Sequence, residues 1–429
     1  MAGDDYVARV DAVASLGRLL QQQDEDDLDE RTKAEILRLA PEQREAFGQL
    51  ADALGTALVE AAAAAEAVAA GDEIRSDVSE PALIRTPGVD RDVSLLVWRL
   101  AWRSVQRARA PRRSDLLRRS TLLLLINDVE LLIANVAREV LRNAPDAVGE
   151  DDATLTLKDL ELLGDVSRAR SMIIERKVDD LLREPFESWV KWFDRFGVDW
   201  KQMTDDWLAL AELWERRHVV VHSDGKASEQ YLKKLRALDG GLPQPAKLDD
   251  KLPVDEAYLT AAVERLLAFG LLLVAGTWLQ LRKGRQAPAL SWLASRVEAV
   301  LDDGHPHAAA TVTSTVLRTA KGRLPREREL SLRVTNWVAR RLIGDEEDVR
   351  REVDEWDVGG LALRYAHVKA VISEDYDLAI RQINELLARK EIGVLELVRS
   401  PLYGELRESR GSELAVPSTT PIGATVSEE

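Results

Sequence analysis

The sequence predicts an all-α protein, and three observations predict it. Ala, Leu, Arg, Glu and Gln dominate the long segments, and most of these are strong helix formers. Apolar residues recur at three- and four-residue spacing, while the strict alternation of half-buried strands is scarce. Glycine and proline fall mainly between the periodic runs, where they end or separate helices.

At 429 residues the chain has room for about three domains. Boundaries are drawn at 1–92 for an N-terminal helical region with its linker, 93–285 for a helical bundle, 286–410 for a domain of helical hairpins, and 411–429 for a Ser/Thr/Pro-rich tail expected to be disordered. In the first region, helices from Tyr6 to about Ala70 are interrupted by the acidic run Asp24–Glu30, and Pro41 suits the first turn of a new helix. Residues 79–88 carry two prolines and a Pro-Gly pair, which reads as the linker.

The bundle opens with a helix over 93–110 carrying Trp98 and Trp102. A cationic stretch follows, with Arg103, Arg107, Arg109, Arg112, Arg113, Arg118 and Arg119 opposed only by Asp115. Arg112, Arg113, Arg118 and Arg119 are candidate phosphate contacts, or else a charged corner neutralised by acidic neighbours. Residues 116–142 form a long helix whose Glu130 lies within an apolar stretch. A carboxylate there is either an ion-pair partner or at the edge of the buried face. Pro185 breaks the next helical stretch or opens a new helix. A helix beginning near Thr204 places Trp207, Leu210, Ala211, Trp214, Arg217, His218 and Val221 on one face. Gly225 stands where it ends, and Ser228 suits the cap of a short helix through Leu238. Propensity alone pulls Val219–Val221 and Ser223–Gly225 toward a strand and hairpin turn, but the helical face reaching back to Trp207 outweighs it.

The apolar run Leu266–Leu279 is 14 residues long, short of the roughly 20 needed to span a bilayer, and reads as a buried core helix with no membrane contact. In the last domain, residues 361–366 and 375–380 form a helix, a tight turn and a second helix starting Tyr-x-x-Ala-Ile, similar to one tetratricopeptide unit. Segments 307–320 and 326–342 could form another pair. His367 is expected to be a packing residue.

Composition restricts the chemistry. The chain has no cysteine, which removes thiol nucleophiles, disulfides and thiolate metal sites and fits a cytoplasmic protein. The formal charge of −16 argues against broad attraction to nucleic acid, though not against a local basic site. No metal-ligand spacing or phosphate-cradling glycine loop is present, so neither metal nor cofactor is expected. Of five histidines, two lie four residues apart in Glu215-Arg216-Arg217-His218-Val219-Val220-Val221-His222-Ser223-Asp224-Gly225. Histidine suits proton transfer near neutrality and guanidinium matches phosphate geometry. Residues 217 and 222 project about 140° apart on an ideal helix, so aiming both at one phosphate requires the helix to unwind after Val221 or a second copy of the chain.

Arg217 and His222 form an R-x4-H pattern with a polar residue, His218, directly after the arginine. This resembles the motif of the HEPN family of helical ribonucleases, and the block from Arg216 to Leu232, with His-x-x-Gly and the later Tyr-Leu, is similar to bacterial members. Glu130 matches the position of a family acid. The resemblance spans about Leu116–Leu281 and implies a HEPN-like bundle that dimerises around a composite, metal-independent site. It implies His222 as base and acid, Arg217 as phosphate stabiliser, His218 as an assisting group, and RNA as substrate, in a toxin or phage-defence role. Many relatives bind without cleaving, so a non-catalytic dimerisation scaffold with a protein partner at the C-terminal hairpins stands as the alternative. In a purely structural account, Arg217 pairs with Glu212 or Asp224 and the histidines cap a helix end.

Overall fold

The computed structural model describes residues 3–15, 113–144, 164–203, 207–237, 246–282, 286–320 and 324–414, with isolated positions at 38, 43–45, 48 and 284. The expected helix over 93–110, the linker at 79–88, and positions 103, 107, 109 and 112 of the cationic stretch lie outside these residues, as does the tail beyond Leu414. Among the described residues the protein is all-α, with no strand. Their only β-type contact is an isolated antiparallel bridge between Lys226 and Lys251.

Two compact units are distinguished. One comprises Met1–Ala12 and Leu122–Glu429, the other Val13–Thr121. In the first unit the elements are α1 (residues 3–15, of which 3–12 belong here) and α2 (Arg113–Asn143, belonging here from Leu122), followed by α3 (Val166–Arg183) and α4 (Phe186–Asp194). A 3-10 turn at Trp200–Met203 leads to α5 (Trp207–His222), α6 (Glu229–Ala237) and α7 (Glu256–Leu281). The start of α3 is capped by Asp165, whose carboxylate accepts from the Arg168 N–H. Pro185 separates α3 from α4, because it cannot donate into a continuing helix.

The core gathers around α7. Its Asp255 cap accepts the Tyr258 N–H at 2.8 Å, and residues from Ala262 to Leu273 are buried almost all round. By length and composition both α7 and α2 could cross a membrane, but 67% and 61% of their most apolar windows are buried inside the protein. Burial against neighbouring helices, rather than shortness, accounts for the apolar run at 266–279.

Aromatic rings fill the space between α4, α5 and α7. Phe186 stacks on Trp214 with centroids 4.4 Å apart, and Trp200 meets Phe186, Phe193 and Phe269 at 4.8–5.7 Å. Such contacts add roughly 0.5–1.5 kcal/mol each beyond their area. From the N-terminus, Tyr6 donates its hydroxyl to the Leu266 carbonyl at 2.6 Å. A Cβ on Gly270 would fall 2.1 Å from the Tyr6 ring, so this close approach requires glycine. Arg9 pairs with Asp128 on α2.

Packed on α7 are α8 (Gln286–Asp302) and α9 (Pro306–Thr319). The chain continues through α10 (Arg326–Leu342), α11 (Glu346–Asp354), α12 (Leu363–Ile372), α13 (Tyr376–Ala388), α14 (Val394–Arg399) and α15 (Gly404–Arg410). Both helix pairs read from the sequence, α9 with α10 and α12 with α13, are in contact. In the second pair the turn places Glu374 at φ 61° and Asp375 caps α13 by accepting from Leu378. Ala379 is fully buried at that contact, beside Ala370 and Val371. Gly411–Glu413, at the start of the segment read as a tail, forms a 3-10 turn beside the Arg410–Asp377 ion pair. His367 is buried, accepts or donates at 3.1 Å to the Tyr403 hydroxyl, and is pushed down to about 4 by burial, which is a packing role.

Candidate functional site

Helix α5 changes character along its length. From Ala209 to Arg216 nearly every residue is buried, enclosed by the aromatic cluster and by α6 and α7. Beyond Arg216 only Val219 is buried, and His218, Val221 and His222 are exposed. The single face read from the sequence therefore holds for Leu210, Ala211 and Trp214 but not for Arg217, His218 and Val221. The first half of α5 is surrounded on all sides, and the last turns emerge from the bundle.

A buried network fixes the point of emergence. Arg216 Nε donates to Glu212 at 2.6 Å, Nη1 donates to the Pro253 carbonyl at 3.0 Å, and the guanidinium lies 4.5 Å from the centre of the Tyr258 ring. The Tyr231 and Tyr258 hydroxyls also donate to Glu212, each at 2.7 Å. Burial works against the Arg216 charge, but the Glu212 carboxylate outweighs it and holds the arginine protonated. Glu212 is thus satisfied by three donors, as a buried carboxylate requires. One turn further on, Glu215 accepts from Lys234 at 2.7 Å.

Adjacent arginines have opposite surroundings. The Arg216 side chain is 4% exposed, that of Arg217 42%. Glu212 is occupied by Arg216, and Arg217 pairs instead with Glu130 of α2 at 3.3 Å. Glu130 is an ion-pair partner rather than a residue idle at the edge of a face. Its pKa is raised by burial, against the opposing influence of Arg217 and the Trp214 indole.

The four-residue spacing of His218 and His222 puts both rings on one side of the helix, with centroids 4.5 Å apart. The pKa of His218 is lowered, first by desolvation, then by His222, Lys234 and Arg217, with Glu215 opposing. His218 is accordingly neutral at pH 7 and able to accept a proton.

The helix persists through His222 and does not unwind after Val221. It ends in a turn in which the Ser223 and Gly225 N–H groups both donate to the Val219 carbonyl, at 2.9 and 3.1 Å. Asp224 and Gly225 adopt φ values of 49° and 76°, the left-handed conformation common at helix ends. The Val219–Val221 run is helical because Val219 is held in a small core with Ala227, Tyr231, Leu232, Leu235 and Leu252. Ser228 caps α6 through the Tyr231 N–H at 3.2 Å.

Apolar side chains are also exposed on α2 and α5. Leu131 follows Glu130, Leu124 lies two turns before Leu131 on the same face of α2, and Val221 lies one turn beyond Arg217. All three are exposed.

Of the other candidate residues, Arg112 lies outside the described residues and Arg113 is the first residue of α2. Arg118, in the second unit with Arg119, pairs with Asp115 at 2.5 Å. Both arginines are half-buried. No cluster of metal-binding side chains occurs among the described residues. The positioning residues Tyr231, Tyr258 and Lys234 carry no local signal in the sequence, whereas the four-residue spacing of Glu212 and Arg216 is an ion-pair pattern.

Compared with known protein families, curated proteins and solved structures, the chain matches none.

Proposed function

We propose that the chain is a HEPN-type, metal-independent endoribonuclease that acts as a homodimer. The observation that carries this is the placement of Arg217, His218 and His222 together on the exposed end of α5, with Glu130 orienting the arginine. Since α5 stays helical through His222, the 140° divergence of an ideal helix persists, at about that value, and a second copy is needed to surround one phosphate. The exposed Leu124 and Leu131 of α2 and Val221 of α5 favour such pairing.

In the proposed reaction His222 of one copy takes the proton from a ribose 2′-OH. The 2′-oxygen attacks phosphorus, the bond to the 5′-oxygen breaks, and the facing His222 protonates that oxygen. The products are a 2′,3′-cyclic phosphate and a 5′-hydroxyl. Arg217 stabilises charge growing on the phosphate, and His218, kept neutral, assists proton transfer. A toxin or phage-defence role follows from the family resemblance. The test is RNA cleavage in EDTA by the wild type, His222→Ala and Arg217→Ala. Cleavage by wild type alone supports the proposal, and equal cleavage by all three, or none by wild type, overturns it.

A second reading is favoured by one feature of the C-terminal helices. A cleft of about 650 Å³ lies between α8, α10, α12 and α14, lined by Glu298, Tyr365, Arg364, Leu395, Glu396 and Arg399 among others. It suits a scaffold that captures a protein segment. This reading predicts that Arg364→Glu abolishes the protein's effect on the growth of producing cells, while the double variant Arg217→Ala, His222→Ala retains it.

A further inference from the structure

A second cavity, of about 550 Å³, opens where α2, α7 and α8 meet. Its walls are Val136, Val274, Leu281 and the indoles of Trp278 and Trp292, whose rings lie 6.4 Å apart. That volume lies within the range of about 300–1,000 Å³ typical of small-molecule sites, and the apolar walls with few polar groups are their usual make-up.

One polar group in the cavity has no counterpart. Thr277 is among the residues that line the cavity; it is 4% exposed, and its buried hydroxyl has no hydrogen-bond partner. Threonines within helices ordinarily donate to the carbonyl four residues earlier. Thr121, Thr313, Thr319 and Thr335 do so here, at 2.6–3.1 Å. Thr277 does not, although the Leu273 carbonyl is the equivalent acceptor, and neither does Thr315 on α9, which does not line this cavity. A buried unpaired hydroxyl is costly and calls for an explanation; a ligand atom in the cavity supplies one.

The charged lining residues set the sign of the ligand. Glu139 is already paired with Arg142 at 2.9 Å. The Asn135 side-chain oxygen accepts from Arg138, which leaves its amide N–H groups to donate. Arg282, exposed at the end of α7, supplies a guanidinium.

We propose that this cavity binds a ring-containing small organic anion, its apolar body against Trp278 and Trp292, a polar atom on the Thr277 hydroxyl, and its charge toward Arg282 and Asn135. The site is independent of the nuclease proposal and shares no residue with it.

The test is a fluorescence titration of the full chain with anilinonaphthalene sulfonate, repeated with the uncharged phenylnaphthylamine. Saturable binding at one site per chain is expected for the sulfonate. Val274→Trp, which fills the cavity, should abolish it. Thr277→Val should weaken both probes about fivefold, the ordinary net value of one hydrogen bond, and should melt no lower than wild type because it removes an unpaired hydroxyl. Arg282→Ala should weaken only the sulfonate. Unsaturable binding, or binding unchanged by Val274→Trp, would overturn the site. Equal binding of both probes, unaffected by Arg282→Ala, would overturn the anionic class.

Discussion

Glu130 on α2 and Arg217 on α5 form an ion pair at 3.3 Å at the candidate site. The two residues come from helices separated, among the described residues, by three intervening elements, and the pair sets where the guanidinium lies. Its orientation is therefore a property of the bundle and not of α5 alone.

Glu130→Gln separates this orienting role from stability. Arg217 is partly exposed, so loss of the pair should cost less than about 1 kcal/mol in denaturant unfolding. If the proposed nuclease reaction holds, RNA cleavage should fall about tenfold to a hundredfold, the usual consequence of a misplaced catalytic group. A cleavage rate equal to that of wild type would show that Glu130 does not orient the site.

Glu212→Ala should behave in the opposite way. It strands a buried guanidinium and removes the shared acceptor of Tyr231 and Tyr258. Breaking a buried pair on one side costs about 3–5 kcal/mol, which would appear as a large drop in the urea midpoint. A shift as small as that of Glu130→Gln would contradict the network described.

The two histidines define a pH test. The His218 pKa is lowered by desolvation and by its cationic neighbours, so His218 stays neutral below the ordinary histidine value of about 6.5. A step that needs neutral His218 should continue below that pH and fail only at lower pH. In Lys234→Met, one of the groups that depress it is gone, and the acid limb of the rate profile should move upward. An unchanged acid limb would assign it to another group.

His305 provides a stability test. It occupies the buried N-cap position of α9 without a capping hydrogen bond of its own, with Nδ1 3.3 Å from Glu264 and Nε2 3.6 Å from Asp11. Burial disfavours its charge, but Glu264 and Asp11 outweigh that and raise its pKa. A raised folded pKa gives stability that is fully present below the unfolded value of about 6.5 and is lost as pH rises through the folded value. Thermal melts should therefore show wild type losing stability across that window relative to His305→Gln. Parallel melting curves for the two proteins across it would exclude this linkage.

The helical class was legible because propensity and periodicity agree over most of the chain. The Arg217–His222 pattern was visible because it is local, and Glu130 because an acid inside an apolar helix needs a partner. The inequality of Arg216 and Arg217 was not visible. It depends on Tyr231, Tyr258 and the Pro253 carbonyl, up to 46 residues away from Glu212 in sequence, and nothing near either arginine announces them. The same holds for His305, whose partners Glu264 and Asp11 converge only when α1, α7 and α9 are packed. At Val219–Val221 propensity pointed to a strand, and tertiary packing of Val219 against α6 prevailed.

The contact of Tyr6 with Leu266 and Gly270 has a temporal side. Its two ends are 260 residues apart, so at ordinary synthesis speeds of about 5–20 residues per second the first helix waits roughly 13–50 seconds for the segment it docks on. Tyr258, which completes the Arg216 network, is made on that same segment. During translation the nascent chain thus carries Arg216 before it carries Pro253 and Tyr258, two of the groups that hold it. Every ribosome-bound fragment that ends before α7 therefore lacks the Tyr258 side of the Arg216–Glu212 network.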